Sequence, residues 1–279
     1  MNALPELRFD NAAALLSDAD FQTVRRLIEA YAGIKLSAHK RNMVYNRLLR
    51  RLRASGAPDF GEYLQLVQAS ESGEREAFVN ALTTNLTAFF REPHHFELLA
   101  ARARGHAARE SRPLRVWCSA CSTGEEAWSI AIALREVGCR FELLATDIDT
   151  DALGTASAGV YPRERTGSLA HERLRAHFLR GTGANEGWVS VRRELHQGVT
   201  FAALNLLAPT WPSMEAFDVI FCRNVVIYFD REAQKRLLGR FAGLLRPGGL
   251  LAVGHAESFP AGHPRFRACG RTAYESTGP

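Results

Sequence analysis

The sequence of 279 residues contains no uninterrupted apolar run long enough to cross a bilayer. Its opening stretch, MNALPELRFDNAAALLSDAD, lacks both the cationic start and the apolar core of a secretory signal. A cytoplasmic address is therefore expected. Cysteine is scarce, and its count of five is odd, which argues against a disulfide framework. Cys118 and Cys121 form a lone C-x-x-C with no second pair and no histidine at zinc spacing. Free thiols packed beside a strand end are expected, and no metal. Both the G-x-x-x-x-G-K-[ST] phosphate loop and the G-x-G-x-x-G fingerprint are absent. Acidic residues are missing between Glu29 and Asp59, a window that holds Lys35, Lys40, Arg41, Arg47, Arg50, Arg51 and Arg53. That gap predicts a local basic face and, with a net charge of +5 and a pI near 9.1, an acidic partner.

Hydrophobic residues make up 46% and charged residues 23% of the chain, the balance of an ordinary globular protein. The length suits one large domain or two modest ones. Asp20 is placed to cap a helix over FQTVRRLIEAYAG that stops at Gly33. A second helix is expected over HKRNMVYNRLLRRLRASG, ending at Gly56. At 100° per residue, Val44, Tyr45, Leu48, Leu49 and Leu52 share one side, and Lys40, Arg47, Arg50, Arg51 and Arg53 the other. A third helix begins at Asp59-Phe60-Gly61, and a fourth covers GEREAFVNALTTN. Residues 1–90 thus read as an all-helical domain.

After Pro113 the texture changes. LRVWCSA, RFELLATD, VTFAALNLL, FDVIFCRN and LLAVGHA are short apolar runs rich in β-branched or aromatic residues. Helical patterns such as EEAWSIAIALREVG and REAQKRLLGRFAGLL fall between them. Alternating strands and helices predict an α/β domain, residues 91–279, with a parallel sheet covered on both faces. The glycines of residues 178–200, and the alternation of Trp188, Val189, Val191 and Leu195, predict a small antiparallel excursion from that sheet.

Ligands of open parallel sheets sit beyond the carboxyl ends of the strands. The first such end here is Ser119-Ala120-Cys121-Ser122-Thr123-Gly124, whose small residues let backbone approach a ligand. The next strand ends at Asp147, where a carboxylate can grip ribose hydroxyls. Glu125 and Glu126 occupy the helix start, where a pyrophosphate would need bare N–H groups. A carboxylate there suits the ammonium or sulfonium of S-adenosylmethionine instead. At 4 Å and an effective dielectric near 20, the charge term is roughly 4 kcal/mol, enough to choose between the ligands. Glu125 is expected to face the ligand and Glu126 to face solvent.

LTTNLTAFFRE at 82–92, STGEE at 122–126, TDID at 146–149, FCRNVVIYF at 221–229 and GHAES at 254–258 resemble, in order, the chemotaxis receptor methyltransferases of the CheR family. The resemblance spans nearly the whole chain. It implies a helical N-terminal domain, a Rossmann-like cofactor domain and an antiparallel β-subdomain inserted in the latter. It further implies O-methylation of receptor glutamates with S-adenosylmethionine, which leaves S-adenosylhomocysteine. Carried over by position, the cofactor residues would be Asn85, Thr87, Arg91, Ser119, Glu125, Asp147, Asn205, Leu206, Arg223 and Asn224. Arg91, Arg223 and Tyr228 would orient the reacting carboxylates. Receptor contacts would come from Arg47, Arg50 and Arg51, and from Gly181, Thr182 and Gly183 through the receptor's C-terminal tail. Ser119 and Cys121 stand where the family often has alanine, and Ala127 replaces a frequent proline. His94 and His95 look like a metal pair without a third ligand. A monomer, no nucleic acid and no membrane insertion are expected. The competing readings are a methyltransferase or nucleotide-cofactor oxidoreductase acting on a small molecule or RNA, and a non-catalytic nucleic-acid-binding module using the basic helix.

Overall fold

The computed structural model describes residues 15–69, 73–257 and 263–278. The chain divides into two compact units, the first running to Leu82 without Ala32–Lys35, the second taking Ala32–Lys35 and everything from Thr83.

Among the described residues, four α-helices build the first unit: α1 (Asp18–Ala32), α2 (Arg41–Ser55), α3 (Phe60–Gln68) and α4 (Glu74–Leu82). Helix α1 starts earlier than Asp20 alone predicts, because Ser17 and Asp20 cap it reciprocally. The Asp20 amide donates to Ser17 Oγ and the Ser17 amide to Asp20 Oδ2, both at 3.1 Å. Helix α2 ends at Gly56, whose φ of 73° supplies the left-handed stop. Asp59 caps α3 by accepting from the Glu62 amide at 2.9 Å. Of the predicted apolar stripe on α2, Val44, Leu48 and Leu52 are buried, and the helix packs on α4 and α3.

The fourth helix stops before Thr83, and the unit boundary falls there rather than at 90. Thr83 and Asn85 leave the helical pattern because their side chains hydrogen-bond Asp149 in the second unit, Asn85 Nδ2 at 2.7 Å.

The second unit contains α5 (His94–Ala107), β1 (Leu114–Cys118), α6 (Glu125–Glu136), β2 (Phe141–Asp147), α7 (Thr150–Ala158), β3 (Val160–Pro162), α8 (His171–His177), β4 (Phe178–Arg180), β5 (Trp188–Val191), α9 (Arg193–His196), β6 (Val199–Ala203), β7 (Phe217–Cys222), α10 (Arg231–Leu244), β8 (Leu245–Val253), β9 (Phe266–Gly270) and β10 (Ala273–Ser276). Among the described residues the main sheet has the order β6-β2-β1-β7-β8-β10-β9. Its first five strands are parallel, and β10 joins β8 and β9 by antiparallel pairing. Strands β2 and β7 flank β1 on opposite sides, which opens a crevice at the end of β1.

A second sheet, β3-β5-β4, is antiparallel. This insert starts at Val160 rather than 178, and it ends at Val191. Residues 199–203 belong to the main sheet instead, where they extend β2 in parallel register.

Residue alternation along β1 assigns its side chains to two cores. Val116 and Cys118 face α6, whose Ala127, Trp128, Ile130, Ala131 and Leu134 are all buried. Trp117 faces the other way, against Phe217, Phe241 and Trp211 at ring separations of 5.2–5.5 Å. At the opposite end of the sheet, Asp218 accepts from both Arg112 terminal nitrogens, at 2.6 and 2.7 Å, and from the Arg115 amide at 2.9 Å. Burial works to raise the Asp218 carboxyl, but the Arg112 and Arg115 hydrogen bonds outweigh it and hold the group below the usual carboxylate range. Asp218→Asn is expected to cost about 2 kcal/mol at neutral pH, measured by urea unfolding. The difference from the unsubstituted protein should shrink as pH falls through the depressed carboxyl value.

Candidate cofactor site at the strand ends

The parallel strands deliver the ends of β6, β2, β1 and β7 side by side, and backbone contacts lock them. The Ser119 amide donates to the Phe221 carbonyl at 2.9 Å, the Cys121 amide to the Thr146 carbonyl at 2.8 Å, and the Leu204 amide to the Asp147 carbonyl at 2.9 Å. Ser119, Asp147, Asn205 and Arg223 therefore emerge at one edge of the sheet. The loop after β1 bends through Ser122 (φ 51°) and Gly124 (φ 96°). A Cβ on Gly124 would meet Ala156 Cβ at 2.7 Å and Tyr161 Oη at 2.9 Å. Only glycine fits that turn.

Asp147 is pinned rather than free. Its Oδ2 accepts from the Ser122 amide at 2.7 Å and its Oδ1 from the Asp149 amide at 3.0 Å. Burial, aided by the neighbouring Asp149 charge, raises its pKa against the pull of those two amides. Asn85 joins the same web, accepting at Oδ1 from Ser122 Oγ at 2.7 Å.

The two glutamates at the start of α6 are both buried, each against an arginine. Glu126 does not face solvent: it is buried and paired with Arg223 Nη1. Burial raises its pKa, with Arg223 pulling it down. Glu125 is fully buried and already holds a cation. Arg165 Nε donates to Glu125 Oε1 at 2.9 Å, and Thr123 Oγ1 donates to Oε2 at 2.7 Å.

Arg223, expected beside a reacting carboxylate, is spent inside the protein. Its side chain is 1% exposed, pairs with Glu126, lies 3.5 Å from Glu92, and donates from Nη2 to the Arg91 carbonyl at 2.6 Å. With those partners taken, the residue positions the Arg91 segment. The following loop is held by Glu257, which accepts from the amides of Asn224, Val226 and Gly254 at 2.7–2.8 Å. Asn224 adopts a φ of 58° there. Glu257 lies within GHAES, and its role depends on contacts with the loop after β7 that sequence spacing does not show. Ser258 of that motif lies outside the described residues.

Asn205 closes its own turn, accepting from the Leu207 amide at 2.9 Å, and Leu206 is buried. Arg91 donates to the Leu86 carbonyl at 3.0 Å. Thr87 and Tyr228 are half-buried. The cysteines of the C-x-x-C are free and buried, and burial drives both thiols well above their ordinary pKa. Glu92 joins His94 and His95 as a third potential ligand, their ligand-type atoms lying within 4.8 Å. Its Oε1, however, already serves His255 at 3.1 Å and Arg223.

Arg47, Arg50 and Arg51 sit on α2 in the first unit. The anion missing from their sequence window comes from α4, where Glu74 accepts from Arg51 at 2.7 and 3.0 Å. Arg41 pairs with Asp18. Lys35 belongs to the second unit and lies 3.4 Å from Asp230. Lys40, Arg50 and Arg53 remain exposed on the predicted basic face. Gly181, Thr182 and Gly183 form the connection between β4 and β5.

Half-buried and buried carboxylates gathered at the strand ends fit a cationic nucleoside ligand. Fold and site together define an S-adenosylmethionine-binding methyltransferase. Family models agree: residues 19–83 match the CheR methyltransferase all-alpha domain, and residues 85–274 the CheR methyltransferase SAM binding domain. The chain belongs to the CheR methyltransferase family. It is 52% identical over 264 residues to a chemotaxis protein methyltransferase from Escherichia coli (strain K12), covering 93% of this chain and 91% of that one. Chemotaxis protein methyltransferase 2 of Pseudomonas aeruginosa is 47% identical, with 97% of each chain covered. Among solved structures, the rRNA methyltransferase aviRa from Streptomyces viridochromogenes aligns at a TM-score of 0.43 and 16% identity, covering 70% of this chain and 87% of that one.

Two outcomes test this electrostatic architecture. Arg223→Met should destabilise the protein by about 3–5 kcal/mol in urea unfolding, because it leaves Glu126 buried without a cation. Burial, with the charges of Arg223 and His94, pushes His95 down from 6.5 to about 4. The folded-state value lies below the unfolded one, so the unfolded chain binds more protons between them. Stability contributed at that site should therefore fall as pH drops from 6.5 towards 4. His95→Gln, compared with the unsubstituted protein across that window, should remove this component.

Proposed function

We propose that this chain transfers a methyl group from S-adenosylmethionine to glutamate side chains on the cytoplasmic helices of chemotaxis receptors, forming methyl esters and S-adenosylhomocysteine. The observation that carries the reading is the 52% identity, over nearly the full length, to the Escherichia coli chemotaxis protein methyltransferase. The enzyme would act in the cytoplasm as a monomer, in sensory adaptation.

A glutamate carboxylate is already ionised near neutral pH, so it can attack without a general base. The protein's task is then to hold donor and acceptor in line at near-attack distance. When bound, S-adenosylmethionine supplies the methyl as an electrophile on a sulfonium. Glu125 is the proposed seat of the ammonium of its amino-acid end, and Asp147 of the ribose hydroxyls. Asn205 and Leu206 would lie against the adenosine, and Asn85, Thr87, Ser119 and Asn224 would complete the seat. Arg91 and Tyr228 are the proposed catalytic residues that orient carboxylates by charge-assisted hydrogen bonds. Arg223 is assigned a positioning role, through the Arg91 carbonyl.

For the receptor, exposed Arg50, beside Lys40 and Arg53, is the proposed centre of a cationic surface. It would speed encounter with glutamate-bearing helices more than it would raise affinity. Arg47 and Arg51 would contribute less, being half-buried. The order β3-β5-β4 leaves β3 and β4 at the edges of the small sheet. Such an edge accepts an extended peptide, and the receptor's C-terminal tail is the proposed occupant near Gly181-Thr182-Gly183. The exposed Val160, Leu179 and Trp188 on that sheet favour an apolar tail. Tethering of this kind raises local concentration at the methylation helices.

Incubation with tritiated cofactor and receptor-bearing membranes should give receptor label that alkali releases. Alkali-stable label would overturn the ester assignment. Asp147→Ala should remove S-adenosylhomocysteine binding in calorimetry while the circular dichroism spectrum is retained. Reversing Arg50 and Arg53 to glutamate should slow receptor methylation severalfold, with cofactor affinity unchanged.

A further inference from the structure

Arg165 lies in the single helical turn Arg163–Thr166 that follows β3. Its side chain reaches back to the start of α6. Nε donates to Glu125 Oε1 at 2.9 Å, Nη2 pairs with the same oxygen, and Nη2 also donates to Thr123 Oγ1 at 3.0 Å. The Thr123 hydroxyl donates in turn to Glu125 Oε2 at 2.7 Å. The three side chains form a closed ring, in which Arg165 Nη2 serves both Glu125 and Thr123, and the carboxylate is paired with a cation of this chain.

The ring is energetically lopsided. Glu125 is 0% exposed and Arg165 is 41% exposed. A fully buried carboxylate demands a cation. A guanidinium that already touches water gives up such a partner at little cost. Glu125 will therefore hold whichever cation reaches Oε1, and Arg165 is the partner that can leave. An ammonium is a compact point charge with three donors, suited to replace the planar fork at one oxygen. The backbone need not follow. Tyr161, the middle residue of β3, is buried and donates from Oη to the Thr123 carbonyl at 2.8 Å. That bond fixes the loop while the arginine side chain swings.

We propose that Arg165 is an internal substitute for the ligand's ammonium: it occupies Glu125 Oε1, must be displaced when the amino-acid end of the cofactor binds, and so sets cofactor affinity. This rests on the assignment of Glu125 as the seat of that ammonium. Arg165 is a residue that modulates affinity and specificity, and it is not a catalytic one. Its competition acts only against ligands that carry the amino group, so it lowers the advantage of the whole cofactor over its nucleoside fragment.

Calorimetric titration with two ligands tests it: S-adenosylhomocysteine, which has the amino-acid portion, and 5′-methylthioadenosine, which lacks it. In Arg165→Gln and Arg165→Met, the Kd for S-adenosylhomocysteine should fall about tenfold, and the Kd for methylthioadenosine should stay within twofold. Arg165→Met keeps the apolar stem, so a packing defect in the glutamine variant is recognised as such. In a Glu125→Gln background, Arg165→Gln should leave both affinities unchanged. Unchanged or weaker S-adenosylhomocysteine binding in both neutral variants, with methylthioadenosine unaffected, overturns the proposal and leaves the ammonium seat standing. If Glu125→Gln alone leaves S-adenosylhomocysteine affinity intact, the seat itself is wrong and the proposal falls with it.

Discussion

Two adjacent buried carboxylates at the first turn of α6 impose the demand around which the second unit is organised. Glu125 and Glu126 leave the helix about 100° apart, so one cation cannot serve both. Each carboxylate, removed from water, costs several kcal/mol unless a positive group meets it. Glu126 takes Arg223 from the end of β7, and Glu125 takes Arg165 from the turn after β3. Arg223 then fixes the Arg91 carbonyl, and the turn after β3 is brought to the loop that follows β1. The contrast between the two pairs is one of access. Arg223 is sealed in and structural, while Arg165 retains contact with water and is exchangeable.

Around these pairs runs a web of hydrogen bonds to Asp147 and Asp149 that gives the strand ends their shape. Asp149 caps α7 through the Ala152 amide and receives the side chains of Thr83 and Asn85. Its own amide holds Asp147, and Asp147 holds the Ser122 amide. Three segments distant in sequence, at 83–85, 122 and 147–152, are thereby set against one another with little freedom left. A reaction whose nucleophile is already ionised gains most from such placement, because the barrier that remains is largely one of alignment. The positive φ at Ser122 and Asn224 is consistent with backbone bent to aim these loops at the crevice rather than to relax them.

Much of this was legible locally. The 3.6-residue pattern over α2, the alternation of short apolar strands with helices after Pro113, and the small-residue loop ending in Gly124 each follow from near neighbours in the chain. Glycine at 124 and 56, and aspartate at 59, do what their chemistry alone predicts. The boundary after Leu82 did not follow from pattern, because Thr83 and Asn85 look like the tail of a helix until Asp149 claims their side chains. The insert was likewise misjudged at both ends. Three residues at Val160–Pro162 are too short to show a period, and Val199–Ala203 alternates much like the insert but pairs with β2.

Charge was the least legible property. A window free of acidic residues predicted an open basic face, yet Arg51 meets Glu74 and Arg41 meets Asp18 once the helices pack. Glu126 read as a solvent-facing neighbour of Glu125 and is buried; Arg223 read as a substrate contact and is an internal counter-ion. The sequence by itself determined the helix and strand pattern, the glycine-dependent turn and the carboxylates at the strand ends, because backbone preference and local spacing are short-range. Tertiary structure decided which of those charges are neutralised, which remain exposed and which cation can be exchanged, because ion pairing depends on distance and burial between segments that the chain order does not relate.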